Sequence, residues 1–123
     1  MVKKVQIIWL DKPENQDYAA AMSFLSLLYD NKTVSIFFRK LKNSVITNFK
    51  VKDIFRASAL PLLGVANSHV SKDKEKILSK QKLSPILLVR DSKNGKVIIA
   101  DGYHRMCAVY YYDEDALIPC QII

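Results

Sequence analysis

The sequence predicts a mixed α+β domain in which a helix-rich first part packs on a small mixed sheet. Three observations carry this. Apolar residues recur at helical spacing through much of the first two-thirds of the chain. From Pro85 the pattern changes to short apolar runs separated by turn residues. One further helical stripe then leads into a final β-rich segment. With 123 residues, the chain fits a single domain over residues 1–123, since domains commonly span about 100–200 residues. Half of the residues are apolar and a quarter charged, the composition of a chain that can bury a core rather than stay disordered.

The elements follow in order. The start, Met1 to Leu10, reads as an N-terminal strand, with Trp9 as a core or edge anchor. Asp11 and Glu14 form a D-x-x-E start signal for a helix from about Glu14 to Tyr29, whose Tyr18, Ala21, Met22, Leu25, Leu28 and Tyr29 share one side. Asp30-Asn31-Lys32 ends it, and Thr33 caps a second helix carrying Val34, Phe37, Phe38 and Leu41. Residues Asn43 to Lys50 read as irregular. Val51 to Ser58 form a short helix, ended by Leu60-Pro61 because the residue before proline avoids helical geometry. Gly64 to His69 is a loop, and Ser71 caps a helix to about Gln81 with Val70, Lys74, Ile77 and Leu78 on one side. Pro85 to Arg90 and Lys96 to Ala100 are two strands joined by a turn over Asp91–Gly95, where Asn-Gly supplies the positive φ angles a tight hairpin needs. A helix runs from Gly102 to about Tyr112. Ile118 to Ile122 is the last strand, with Pro119 near its beginning or at an edge.

The net charge of +7 favours anionic partners, whether nucleic acid, nucleotide or an acidic protein. Against this, Lys72, Lys74, Lys76, Lys80 and Lys82 read as a solvated face, and no aromatic residue interleaves with them to stack bases. No segment reaches the roughly 20 apolar residues a bilayer requires, and the N-terminal run lacks a small-residue cleavage pattern. No membrane association and a cytoplasmic location are therefore expected. Cys107 and Cys120 are too few for a disulfide framework and read as buried thiols. His104-x-x-Cys107 has a spacing a metal could use, but one such pair does not make a zinc site, so no metal centre is expected.

Chemistry concentrates in Ala100-Asp101-Gly102-Tyr103-His104-Arg105. Asp101 can cap the helix that begins at Gly102. A helix start carries unpaired amides and positive partial charge, so an anion placed there gains hydrogen bonds and electrostatic stabilisation together. Gly102 has no side chain to keep a ligand from the backbone. Tyr103, Met106, Cys107 and Tyr110 form the core-facing stripe, which leaves His104 and Arg105 off it as two donors in the first turn. Arg105 can either grip a phosphate with paired hydrogen bonds or pair with a carboxylate such as Asp101 or Asp53. Lys52 and Arg56 either extend a basic wall or form an exposed pair beside Asp53.

The run Leu83-Ser84-Pro85-Ile86-Leu87-Leu88-Val89, then Val97 to Arg105, then the helix through Ala108 and Ile118-Pro119-Cys120, resembles the ParB/sulfiredoxin superfamily. The resemblance covers the last third and implies that superfamily's fold. In sulfiredoxins the matching segment is G-C-H-R. Gly102, His104 and Arg105 match it, while Tyr103 stands at the redox cysteine, and a phenol does not replace a thiolate nucleophile. In ParB proteins a G-x-R-R type segment binds the phosphates of CTP. The resemblance thus implies a nucleotide (ATP, ADP or CTP, with Mg2+) held at Asp101, Gly102, Tyr103, His104, Arg105 and His69. NTP hydrolysis and phosphoryl transfer are the reactions it leaves open. The latter needs a carboxylate to orient the attacking hydroxyl, for which Asp53 and Asp101 are candidates. The alternative is a non-catalytic interaction or DNA-associated module that keeps the fold without the ligand. A nuclease ranks last, for want of clustered carboxylates.

Overall fold

The computed structural model of the chain describes residues 5–64 and 66–123. The described residues form five α-helices and a four-stranded mixed sheet, an α+β arrangement. The helices are α1 (Asn15–Leu25), α2 (Asn31–Asn43), α3 (Val51–Ser58), α4 (Ser68–Leu78) and α5 (Tyr103–Tyr112). The strands are β1 (Thr47–Lys50), β2 (Ile86–Asp91), β3 (Lys96–Asp101) and β4 (Leu117–Ile122), in the order β1-β4-β2-β3. β4 runs antiparallel to β1 and parallel to β2, and β2 runs antiparallel to β3.

β2 explains how the layers divide. Ile86, Leu87, Leu88 and Val89 are all buried, as expected of a strand covered on both faces. Ile86 and Leu88 point into a core with Val51, Ile54, Val70, Ile77 and Met106, contributed by α3, α4 and α5. Leu87 and Val89 point the other way, into a core with Tyr18, Ala21, Leu25 and Leu41 of α1 and α2. The sheet is therefore the middle of three layers. Each fully buried Leu or Ile contributes about 1.5–3 kcal/mol. The Tyr18 hydroxyl donates to Gln121 Oε1, and Gln121 Nε2 donates to the Ser44 carbonyl at 3.1 Å. These bonds tie α1 and the end of α2 to β4.

Several expectations need correction. β1 occupies part of the stretch read as irregular; its Asn48 lies opposite Pro119, so β4 is an interior strand and Pro119 is not at a sheet edge. The first helix ends at Leu25, leaving Leu28 exposed. Its N-cap is Glu14, whose amide donates to the Asp17 carboxylate at 2.7 Å. Asp30 opens α2 rather than closing α1, accepting from the Thr33 amide at 2.8 Å. Asn67, not Ser71, caps α4 by accepting from the amides of His69 and Val70. The side chain of Leu78 is exposed, and Lys74 Nζ sits 3.5 Å from the centre of the Tyr111 ring. Near the N-terminus the described residues show a single parallel bridge, Trp9 to Leu83, in place of a strand; the expectation for residues 1–4 lies outside the described residues. Among the described residues no helix is long and apolar enough to cross a membrane.

Candidate functional site

β3 delivers the chain to the turn before α5. A register shift between Leu87 and Leu88 places Asp101 opposite Leu87, the kind of bulge that re-aims a side chain at a strand end. Gly102 follows with φ +109° and is the N-cap of α5. A Cβ on Gly102 would collide with Ile86 Cδ1 and lie 3.0 Å from Arg105 Nη2. The glycine is thus demanded by backbone conformation and by Ile86, and not by room for a ligand on that side, which corrects the sequence expectation.

Asp101 does not cap the helix. Its Oδ2 accepts from Arg105 Nη2 at 2.8 Å, and the same nitrogen donates to the Pro85 carbonyl at 3.3 Å. Arg105 Nη1 lies 3.6 Å from Oδ1 of Asp17 on α1. The three side chains are largely buried, at 16% exposure for Arg105, 15% for Asp101 and 6% for Asp17. Arg105 Nε is buried without a hydrogen-bond partner among the described residues. The guanidinium is therefore a clamp between β3, α1 and α5, and of the two arrangements open to Arg105 the structure shows carboxylate pairing. Asp17, far away in the sequence, had no signal beyond its place near a helix start. Burial raises the Asp101 carboxyl above its ordinary range; Arg105 pulls it back and Asp17 pushes it further up.

With Asp101 engaged and Gly102 lacking a side chain, the first amides of α5 have no side-chain cap. The turn borders a hollow of about 200 Å³ between α4 and α5. Its walls are His69, Lys72, Asp73 and Lys76 from α4 and the turn residues Asp101 to Arg105. Asp101, Gly102, Tyr103, His104, Arg105 and His69 therefore all line one hollow. The His69 and His104 rings lie 4.9 Å apart, tilted by 42°. Tyr103 contributes to the wall but is directed elsewhere: its hydroxyl donates to the Pro61 carbonyl and its ring packs edgewise on Phe55.

Lys72, Asp73 and Lys76 are the residues that sequence reasoning missed. The i, i+3, i+4, i+7 spacing of His69, Lys72, Asp73 and Lys76 was readable, but which face of α4 meets α5 was not. Burial lowers the tendency of His104 to protonate and His69 adds to this, with Asp73 opposing. Burial raises Asp73 against the pull of Lys76, Arg105 and the two imidazoles. With both imidazoles neutral the walls carry three cations and two carboxylates, one net positive charge.

The other candidates lie apart. Asp53 lines a separate apolar hollow with Phe49 and Ile54, and its Oδ1 lies 3.6 Å from Arg56 Nη1 on an exposed face. Lys52 pairs with Asp115 at 2.5 Å. Neither Lys52 nor Arg56 extends the walls of the hollow between α4 and α5. Cys107 and Cys120 are buried free thiols, Cys120 being pushed up to about 12 by burial. Among the described residues no group of three or more His, Cys, Asp or Glu side chains could hold a metal ion.

In comparisons with known proteins, no family model, no curated protein and no solved structure matches the chain.

Proposed function

We propose that the chain is a ParB-like domain that binds a phosphate group in the hollow between α4 and α5. The observation that carries this reading is the uncapped start of α5 facing two imidazoles and two lysines across a polar hollow. Helix amides and cationic side chains converging on one point suit a tetrahedral anion. His104, Lys72 and Lys76 are the ligand groups in this reading. Arg105 holds the turn in shape through Asp17 and Asp101 and does not grip the ligand.

At about 200 Å³ the hollow is smaller than the roughly 300–1,000 Å³ of sites that engulf whole small molecules. A nucleotide would seat its terminal phosphate there and leave its base and sugar outside. Mg2+ would arrive on the phosphates, since it commonly binds through one or two carboxylates plus substrate oxygens, and Asp73 and Asp101 flank the hollow. Were phosphoryl transfer to occur, those two aspartates are the ones placed to orient a hydroxyl.

Titration with inorganic phosphate, ATP, ADP and CTP, with and without Mg2+, tests the reading by calorimetry. Saturable binding that is lost in Lys72→Ala/Lys76→Ala is the expected outcome. Absence of heat with all four overturns it.

A second reading has its own support. The internal pairing of Arg105 with two aspartates is what a non-catalytic interaction module that has lost its ligand would show. Unaltered binding of a protein partner by Lys72→Ala/Lys76→Ala, with no anion response, would select it.

A further inference from the structure

Two imidazoles in ring contact, on two different helices, are an unusual lining for a simple anion site. His104 sits on the first turn of α5 and His69 on the first turn of α4. Both helix starts place positive partial charge beside them, which disfavours an imidazolium. From α4, His104 also faces Lys72, Lys76 and Asp73; from the turn, Asp101; from its own helix, Tyr103 and Arg105; and behind Arg105, Asp17 of α1. The charged neighbours nearly cancel. The imidazoles are therefore the groups whose charge the occupant of the hollow can decide.

Resting on the anion-binding reading above, we infer that the hollow takes up its anion together with a proton on the His69–His104 pair, so that the domain is a proton-coupled anion receptor. Without an anion, two adjacent imidazolium ions would repel each other in a partly buried space, and burial lowers the tendency of His104 to protonate. A dianion between the rings and the α5 amides replaces that repulsion with attraction and favours an imidazolium. Linkage fixes the sign. A group whose affinity for protons is higher in the bound state makes binding tighter as pH falls through its bound-state range, and the gain levels off below its free-state range. The Asp73 carboxylate is placed to share the proton's charge, since it already interacts with both imidazoles.

Sulfate is the probe of choice because it stays a dianion throughout the imidazole range, so any pH dependence belongs to the protein. Calorimetric titration with sulfate between about pH 8 and about pH 5 is expected to show affinity rising toward acid. The rise approaches about tenfold per pH unit at its steepest if one proton accompanies each anion. Repeating the titration near pH 7 in two buffers of different ionisation enthalpy should show net proton uptake. In His104→Gln the profile should flatten while the melting temperature holds, and in Asp73→Asn the imidazole-range dependence should persist. Sulfate binding that does not vary with pH, or a profile unchanged in both His104→Gln and His69→Gln, overturns the coupling and leaves the anion-binding reading standing. Failure of both sulfate and phosphate to bind at any pH overturns the two together.

Discussion

Replacing Arg105 by Met separates the clamp from a ligand-gripping role. Methionine keeps most of the apolar stem and removes the charge. Two carboxylates, at 6% and 15% exposure, then face each other with no cation between them. Breaking a buried ion pair by deleting one partner costs about 3–5 kcal/mol, against a total stability of about 5–15 kcal/mol for an ordinary domain. For a chain of this length that corresponds to a fall in melting temperature of about 10–20 °C. The sign with pH follows from burial. In the variant, Asp101, whose carboxyl burial already holds above its ordinary range, protonates more readily when folded than when unfolded. Its destabilising effect is therefore full above its folded-state range and is relieved as pH falls through it, so the gap to wild type should narrow toward acid. Combining Arg105→Met with Asp17→Asn and Asp101→Asn should recover much of the loss, because neutral groups replace the unpaired charges. Urea unfolding of the three proteins at two pH values measures all of this. An Arg105→Met protein within about 1 kcal/mol of wild type that no longer binds phosphate would refute the clamp and return the guanidinium to the ligand.

Two other outcomes follow from the same geometry. Gly102→Ala should lose about 2–5 kcal/mol in urea unfolding, combining a positive-φ penalty with a collision against Ile86; a change below about 1 kcal/mol would show that the turn relaxes freely. Cys107 and Cys120 are buried, with thiols pushed up by that burial, so a thiol reagent should modify them at a rate set by unfolding and accelerated by urea. Fast reaction in the absence of denaturant would contradict the packing around α5 and β4.

The parts of the fold that were legible in the sequence are those with local punctuation. Val51 to Ser58 were bounded correctly because apolar spacing and Leu60-Pro61 define the helix without outside help. β2, β3 and α5 emerged from apolar runs around Asn94-Gly95, but the expected Asn-Gly pair of positive φ angles is not formed: Ser92–Asn94 make a 3-10 turn and Gly95 alone takes a positive φ, +66°. β1 was invisible for a physical reason: Thr47-Asn48-Phe49-Lys50 is a mostly exposed edge strand, with only Phe49 partly buried, and its pairing comes from β4 far along the chain. The end of α1 was overrun because Leu28 and Tyr29 continue the apolar spacing, although the helix ends at Leu25 and Leu28 remains exposed.

The site divided in the same way. His104 and Arg105 were readable as a donor pair because helical periodicity leaves them off the core stripe, and His69 was placed by the family resemblance. The destination of Arg105 was not readable. Asp101 could equally cap the helix or pair with the guanidinium, and the bulge in β3 together with Asp17 on α1 decides for pairing. Lys72 and Lys76 were assigned to a solvated face because their meeting with His104 depends on how α4 packs against α5, which no local pattern encodes.

The central claim is that the hollow between α4 and α5 holds a phosphate-type anion at the uncapped amides of α5. Backbone amide shift mapping by NMR during a titration with inorganic phosphate tests it residue by residue. The account predicts saturable shifts concentrated at Tyr103, His104 and Arg105 and at His69 to Lys76, with the β1 edge silent. Shifts that are absent, or that gather around Phe49, Asp53 and Arg90 instead, would contradict it.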